Sequence, residues 1–186
     1  MRRLDLKQKI WYNKNKMWKG GIEMISIAIY SEHDQIMEIK SIVQDFLIEA
    51  KMMAKISKFT GLYELVVSPP HYDVYIIDLD TEENGLEVGK KLMEINPDGH
   101  YVYISKDINN AYLATKIRAN YFLEKPIDKE DFLHILKKIK HRIQDDTIII
   151  KISTGERRVR INMLNYVNIV KRCLCYHLSD GTMFDG

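Results

Sequence analysis

The sequence predicts an α/β fold, a doubly wound five-stranded parallel sheet, followed by a partial all-β segment. Three observations predict it. Between Met24 and Gln144, short β-rich runs alternate five times with helical stretches. The run Val74-Tyr-Ile-Ile77 is apolar throughout, as suits a strand buried on both faces of a parallel sheet. After Gln144 the apolar period switches from helical to two.

The elements follow in order. Ile25 to Tyr30 is a short β-rich run, and residues 34 to 49 place Ile36, Ile39, Val43, Phe46 and Leu47 at helical spacing. Met52 to Phe59 fits a second strand and Leu62 to Val67 a short helix, which Pro69-Pro70 breaks. After the third strand come a helix from Gly85 to Ile95, a strand from Tyr101 to Ser105, a helix from Ile108 to Arg118 and a strand from Tyr121 to Leu123. Asp128 then reads as the N-cap of an amphipathic helix that uses Phe132, Ile135, Leu136 and Ile139.

The chain has 186 residues, 46% hydrophobic and 29% charged, which is ordinary for a globular protein and argues against a disordered chain. No apolar run approaches the roughly 20 residues that cross a bilayer, and no signal-peptide pattern is present, so a cytoplasmic location without a membrane partner follows by default. Charge is uneven. Residues 1–23 carry a balance of +5, Met24 to Asp145 one of −5, and Asp146 to Gly186 one of +2. The basic first segment ends in Lys19-Gly20-Gly21, which a purine-rich ribosome-binding site would encode. Met24 is therefore the expected start, with a genuine basic arm as the alternative reading. Cys173 and Cys175 lie two apart in a strand-like run, on one face, and read as reduced, partly buried thiols.

In a doubly wound sheet, ligands gather beyond the carboxyl ends of the strands. Strand one ends in Tyr30-Ser31-Glu32, strand three in Asp78-Leu79-Asp80, strand four in Ser105 and strand five in Lys125-Pro126. Carboxylates, a hydroxyl and a lysine on one rim suit phosphoryl chemistry. Hard oxygens hold Mg²⁺, while hydroxyl and ammonium groups bind phosphoryl oxygens.

In Ile27-Ala-Ile-Tyr-Ser-Glu32, Tyr72-Asp-Val-Tyr-Ile-Ile-Asp78, Asn84-Gly85, Ser105 and Phe122-Leu-Glu-Lys125-Pro126-Ile127, the chain resembles the receiver domain of LytR/AlgR-type response regulators. The resemblance implies a flavodoxin-like fold over residues 24–144. It also implies that the domain is a phosphoacceptor rather than an enzyme, modified on Asp78 by a sensor histidine kinase. Glu32, Asp78 and the backbone carbonyl of Asp80 would bind Mg²⁺. Lys125 would neutralise the phosphoryl charge, Ser105 would swing in to hydrogen-bond it, and Phe122 would be the aromatic switch that reshapes a dimer face for phosphorylation-dependent homodimers. Two positions depart from the family pattern. Ser31 stands where the first of two acids is usual, which implies weaker Mg²⁺ binding. The loop from Asp78 to Asn84-Gly85 is one residue shorter and lacks the customary proline.

Beyond Gln144, strands are expected at Thr147 to Ser153, Arg157 to Ile161, Tyr166 to Val170 and Leu174 to Ser179, with turns at Thr154-Gly155-Glu156 and Asp180-Gly181. Residues 145–186, in Ile161, Asn165-Tyr-Val, Ile169, Tyr176-His-Leu178 and Asp180-Gly181, resemble the start of a LytTR DNA-binding domain. The resemblance makes Lys171 and Arg172 candidate DNA contacts. Arg157, Arg158 and Arg160 could meet phosphates or simply face solvent. About 40 of the roughly 100 residues of such a domain are present, so weak or no DNA binding and aggregation-prone strand edges are expected.

The implied function is transcriptional control through DNA. The alternative is a degenerate receiver or truncated gene product that works only by protein contacts. A remoter alternative is a haloacid-dehalogenase-type phosphatase, which shares the strand-Asp-x-Asp pattern of Val74 to Thr81 but carries that motif on its first strand.

Overall fold

Buried β-branched and aromatic residues set the architecture. The computed structural model describes residues 24–67, 71–117, 119–153, 155–179 and 181–185. The expected basic arm or false start before Met24, the Pro69-Pro70 break, Arg118, Thr154 and Asp180 lie outside the described residues. The chain divides into two units, with Met24–Lys138 in one and Ile139–Gly186 in the other.

In the first unit the strands are β1 (Met24–Tyr30), β2 (Met53–Phe59), β3 (Val74–Asp78), β4 (His100–Ser105) and β5 (Tyr121–Glu124). All pair in parallel, in the order β2-β1-β3-β4-β5. Every residue of β3 is buried, as its unbroken apolar run requires of a central strand. The helices are α1 (His33–Glu49), α2 (Leu62–Val67), α3 (Gly85–Ile95) and α4 (Asn110–Lys116), and α5 (Lys129–Asp145) begins in this unit and continues past Lys138 into the residues of the other. The chain steps from β1 outward to β2, then returns past β1 to β3, β4 and β5. The direction of winding therefore reverses between β1 and β3, which places a topological switch point beside the end of β3.

Alternate residues of each strand serve opposite faces. One face gathers Ala28, Tyr30, Phe59, Tyr72, Tyr75, Ile77, Tyr101 and Tyr103 with Leu65, Val88, Leu92 and Ala114 from α2, α3 and α4. Within it Tyr75 and Tyr101 stack at 4.8 Å between centroids, and Phe59, Tyr72 and Tyr75 meet edge to face. Ile25, Ile27, Ile29, Ile76, Val102 and Ile104, of the other parity, are equally buried. The predicted stripe of α1 is buried as expected, with Ile42 added. Phe132, Ile135, Leu136 and Ile139 of α5 are buried too, and Asp128 caps the helix by accepting the Asp131 N–H at 2.9 Å.

α4 is shorter than its sequence pattern suggests. The Asp107 carboxylate takes the Asn109 N–H at 2.9 Å, which makes a turn of the residues before Asn110.

The second unit holds β6 (Thr147–Ile152), β7 (Gly155–Arg160), a 3₁₀ turn (Ile161–Met163), β8 (Leu164–Val170), β9 (Cys173–Leu178) and β10 (Met183–Asp185). β6 and β7 form an antiparallel hairpin, and β10-β9-β8 form a three-stranded antiparallel sheet. Two expectations are corrected here. Ile152 pairs with Gly155, whose φ of 136° a side chain would resist, so the reversal comes earlier and β7 begins at Gly155. Ile161 leaves the ladder for the 3₁₀ turn. β10 carries too few residues to register as an alternating run in sequence, and it pairs with β9 through Met183, Phe184 and Asp185. Cys173 is exposed and Cys175 buried, both unbridged. Among the described residues no helix is long and apolar enough to cross a membrane.

Candidate functional site

The parallel register brings the ends of β1, β3, β4 and β5 to one rim of the first unit. Backbone bonds fix them there. The Ser31 N–H donates to the Phe59 carbonyl at 3.2 Å, Leu79 to Ile104 at 2.8 Å, and Lys125 to Ser105 at 2.8 Å. Gly85 lets α3 begin against this rim. A Cβ there would lie 2.5 Å from the Asp78 carbonyl oxygen and 2.7 Å from the Leu79 Cα, so only glycine fits without moving the loop.

Asp78 is 2% exposed, and a buried carboxylate needs partners. It has three. The Lys125 ammonium donates to both its oxygens, at 2.7 and 2.8 Å, the Ser31 hydroxyl donates to Oδ2, and the Asp80 N–H donates to Oδ1 at 3.0 Å. Ser31 is itself 1% exposed. The residue that sequence marks as a lost acid is therefore a hydroxyl donor held against Asp78.

The Asp80 side chain, which sequence reasoning leaves unused, turns into the site. Its Oδ1 accepts the Ser105 hydroxyl at 2.7 Å, and its Oδ2 accepts the Lys106 N–H at 2.8 Å and lies 3.1 Å from the Lys125 ammonium. Burial alone would raise the Asp80 carboxyl, but Ser105, the Lys106 N–H and Lys125 together outweigh it and hold it below the ordinary aspartate value. Burial likewise pulls the Lys125 ammonium down, and the carboxylates of Asp78 and Asp80 outweigh that and raise it. Ser105 also accepts from the Asp107 N–H at 3.1 Å and from the Asn110 side-chain amide at 2.9 Å. Asn110 and the Lys106 N–H are further residues of the site that sequence alone does not reveal. The only available signal is their position directly after β4.

Glu32 stands at the rim, exposed, at the start of α1, with no side-chain capping bond. Phe122 is half-buried against the tyrosine cluster, outside the polar network. Carboxylates of Asp78 and Glu32 and the Asp80 carbonyl are hard oxygen donors of the kind Mg²⁺ prefers, and their chemistry fits that ion. Among the described residues, no three His, Cys, Asp or Glu side chains are arranged to hold a metal by themselves, so such an ion would also need the carbonyl and water.

In the second unit, Lys171 and Arg172 form the two-residue connection of the β8–β9 hairpin. Both are exposed and both have positive φ, 49° and 72°. Arg157 lies with its guanidinium 4.6 Å from the Phe184 ring centroid, so this arginine is engaged within its own unit. The Arg158 side chain lies outside the described residues.

No protein-family model matches the chain. No curated protein matches it either. Solved structures do. The response regulatory domain of mrkE from Klebsiella pneumoniae is 13% identical with a TM-score of 0.57, over 65% of this chain and 99% of that one. A response regulator receiver domain from Clostridium thermocellum is 19% identical with a TM-score of 0.54, over 64% and 97%. The BeF3-activated receiver domain of DrrB, a Thermotoga maritima protein, is 17% identical with a TM-score of 0.54, over 64% and 99%. At these identities the likeness is one of fold, and the five-stranded unit has the receiver fold.

Proposed function

We propose that this chain is a two-component response regulator whose receiver domain, residues 24–144, takes a phosphoryl group on Asp78. The observation that carries the reading is the buried Asp78 carboxylate at the end of the central strand, with the Lys125 ammonium bonded to both its oxygens. In the transfer, an Asp78 oxygen attacks phosphorus, the P–N bond of a phosphohistidine on a sensor kinase breaks, and the imidazole nitrogen leaves with the electron pair. Lys125 stays charged and compensates the anion that forms on Asp78. Ser105 supplies its hydroxyl from the end of β4. Ser31 orients the Asp78 carboxylate by holding Oδ2. Glu32, Asp78 and the Asp80 carbonyl would hold Mg²⁺, and the ion would supply charge neutralisation for the phosphoryl oxygens.

The output is transcriptional. Phe122, on β5, couples the state of the site to a homodimer face on the α4-β5-α5 side, and residues 145–186 act as part of a LytTR DNA-binding domain. Support for the latter is the Lys171-Arg172 turn, two adjacent exposed cations of the kind that meet phosphates.

Incubation with acetyl phosphate and Mg²⁺, followed by intact-mass measurement, tests the input. The wild type gains one phosphoryl group and Asp78→Ala gains none. No gain in the wild type, or an equal gain in Asp78→Ala, overturns it and leaves a receiver that works by protein contacts alone. Electrophoretic retardation of DNA tests the output, and undiminished binding after Lys171→Ala/Arg172→Ala removes those residues from it.

A further inference from the structure

Asp80 collects three donors: the Ser105 hydroxyl at 2.7 Å, the Lys106 N–H at 2.8 Å and the Lys125 ammonium at 3.1 Å. They come from the ends of two strands and engage both carboxylate oxygens. Lys125 bridges the two aspartates and so reaches an anion growing on Asp78, and Ser105 follows Ile104, the residue that pairs with Asp78 across β3 and β4. Ser105 has one hydroxyl hydrogen to give. Its lone pairs already accept from the Asp107 N–H and the Asn110 amide, so it cannot donate elsewhere while it stays on Asp80. A backbone carbonyl that binds a metal would tolerate any side chain at this position. The acid therefore calls for another explanation.

We infer that the Asp80 carboxylate is a resident anion in the seat that a phosphoryl group on Asp78 would take. It holds Ser105 and Lys125 drawn in beforehand and must be displaced when Asp78 is modified. This rests on Asp78 being the phosphoacceptor. Asp80 is thus a positioning residue that acts through Ser105 and Lys125. Two carboxylates share one ammonium, and turning the Asp78 carboxylate into a dianionic acyl phosphate adds about one further negative charge beside Asp80, so like-charge repulsion opposes modification until Asp80 swings out. The same geometry means that Ser105 is pulled inward with no phosphoryl group present.

The test compares the rate of phosphoryl gain from acetyl phosphate and Mg²⁺, by intact mass, in the wild type, Asp80→Asn and Asp80→Ala, with Asp78→Ala as control. Asp80→Ala empties the seat and is expected to gain the group about tenfold faster, a barrier change of ~1.4 kcal/mol. Asp80→Asn keeps an acceptor for Ser105 but loses the charge, and falls between. A residue that merely held the loop in shape would, when removed, slow the reaction rather than speed it. Thermal unfolding identifies any variant that fails to fold, and Asp80→Asn, nearly isosteric, then carries the comparison. Equal rates in the wild type and both variants, or a slower rate in them, overturn the latch and leave the phosphoacceptor reading standing. No gain on Asp78 in any variant overturns that reading and the latch with it.

Discussion

The central strand of the first unit and the first strand of the three-stranded sheet are both rich in β-branched and aromatic residues, yet they meet opposite fates. Val74–Asp78 is buried at every position. Leu164–Val170 is exposed at every position but Leu164. Ile76 is 0% exposed and Ile169 is 73% exposed. A strand in a doubly wound sheet is covered on both faces by helices that its own crossovers supply. A hairpin strand has neighbours only at its edges, and it buries its faces only if another layer packs there. Composition makes both segments strands, and connectivity decides which one becomes core.

Substitution separates the two most sharply. Ile76→Ala should cost about 2–5 kcal/mol by urea unfolding, because it leaves a cavity between packed layers. Ile169→Ala should stay within about 0.5 kcal/mol, and a cost near that of Ile76→Ala would mean that the sheet face is covered in solution. Next in size is Gly85→Ala, which should destabilise by about 1–3 kcal/mol through overlap with the Asp78-Leu79 backbone. It should also slow phosphoryl gain on Asp78, and normal labelling in a destabilised variant would separate the loop position from the chemistry.

Alkaline pH probes the buried tyrosines of the first unit. Burial raises the Tyr75 hydroxyl from 10.0 to about 12 and raises Tyr101 and Tyr103 further. A raised acid is protected in the folded state, so this stability is fully present below pH 10 and is lost as pH rises from 10 through 12. Near-ultraviolet circular dichroism across that window should show cooperative loss of the tyrosine cluster. Tyr75→Phe should make the pH dependence shallower, and an unchanged slope would exclude Tyr75 as a contributor.

A small stabilisation is expected at the β8–β9 turn. Its paired left-handed conformations favour Asn-Gly, whereas Lys171 and Arg172 hold them with side chains. Arg172→Gly should therefore stabilise the unit by about 0.5–1 kcal/mol in thermal unfolding. If DNA retention falls in the same variant, the strain serves a contact, and if it does not, the turn is only a turn.

Much of the fold was legible in the residues. The helical spacing of Ile36, Ile39, Val43, Phe46 and Leu47 and the unbroken Val74 to Ile77 run each name an element, because periodicity records which face meets the core. Boundaries failed where a side chain competed with the backbone, as Asp107 does before α4, or where one residue's φ moved a turn, as Gly155 does. Asp78, Ser105 and Lys125 could be placed on one rim because strand ends converge in any parallel sheet. The part played by Ser31 and by the Asp80 carboxylate could not, since a side chain's partner depends on distances of a few ångströms between segments far apart in sequence.

By itself, then, the order of amino acids determined the alternation of strands and helices, the buried stripes and the set of polar groups available at the strand ends. Tertiary structure alone decided that Ser31 donates to Asp78 and that Asp80 occupies Ser105 and Lys125. The physical reason is that periodicity is a local property of the chain. A hydrogen bond between a residue after β3 and residues after β4 and β5 exists only once the sheet has set their registers.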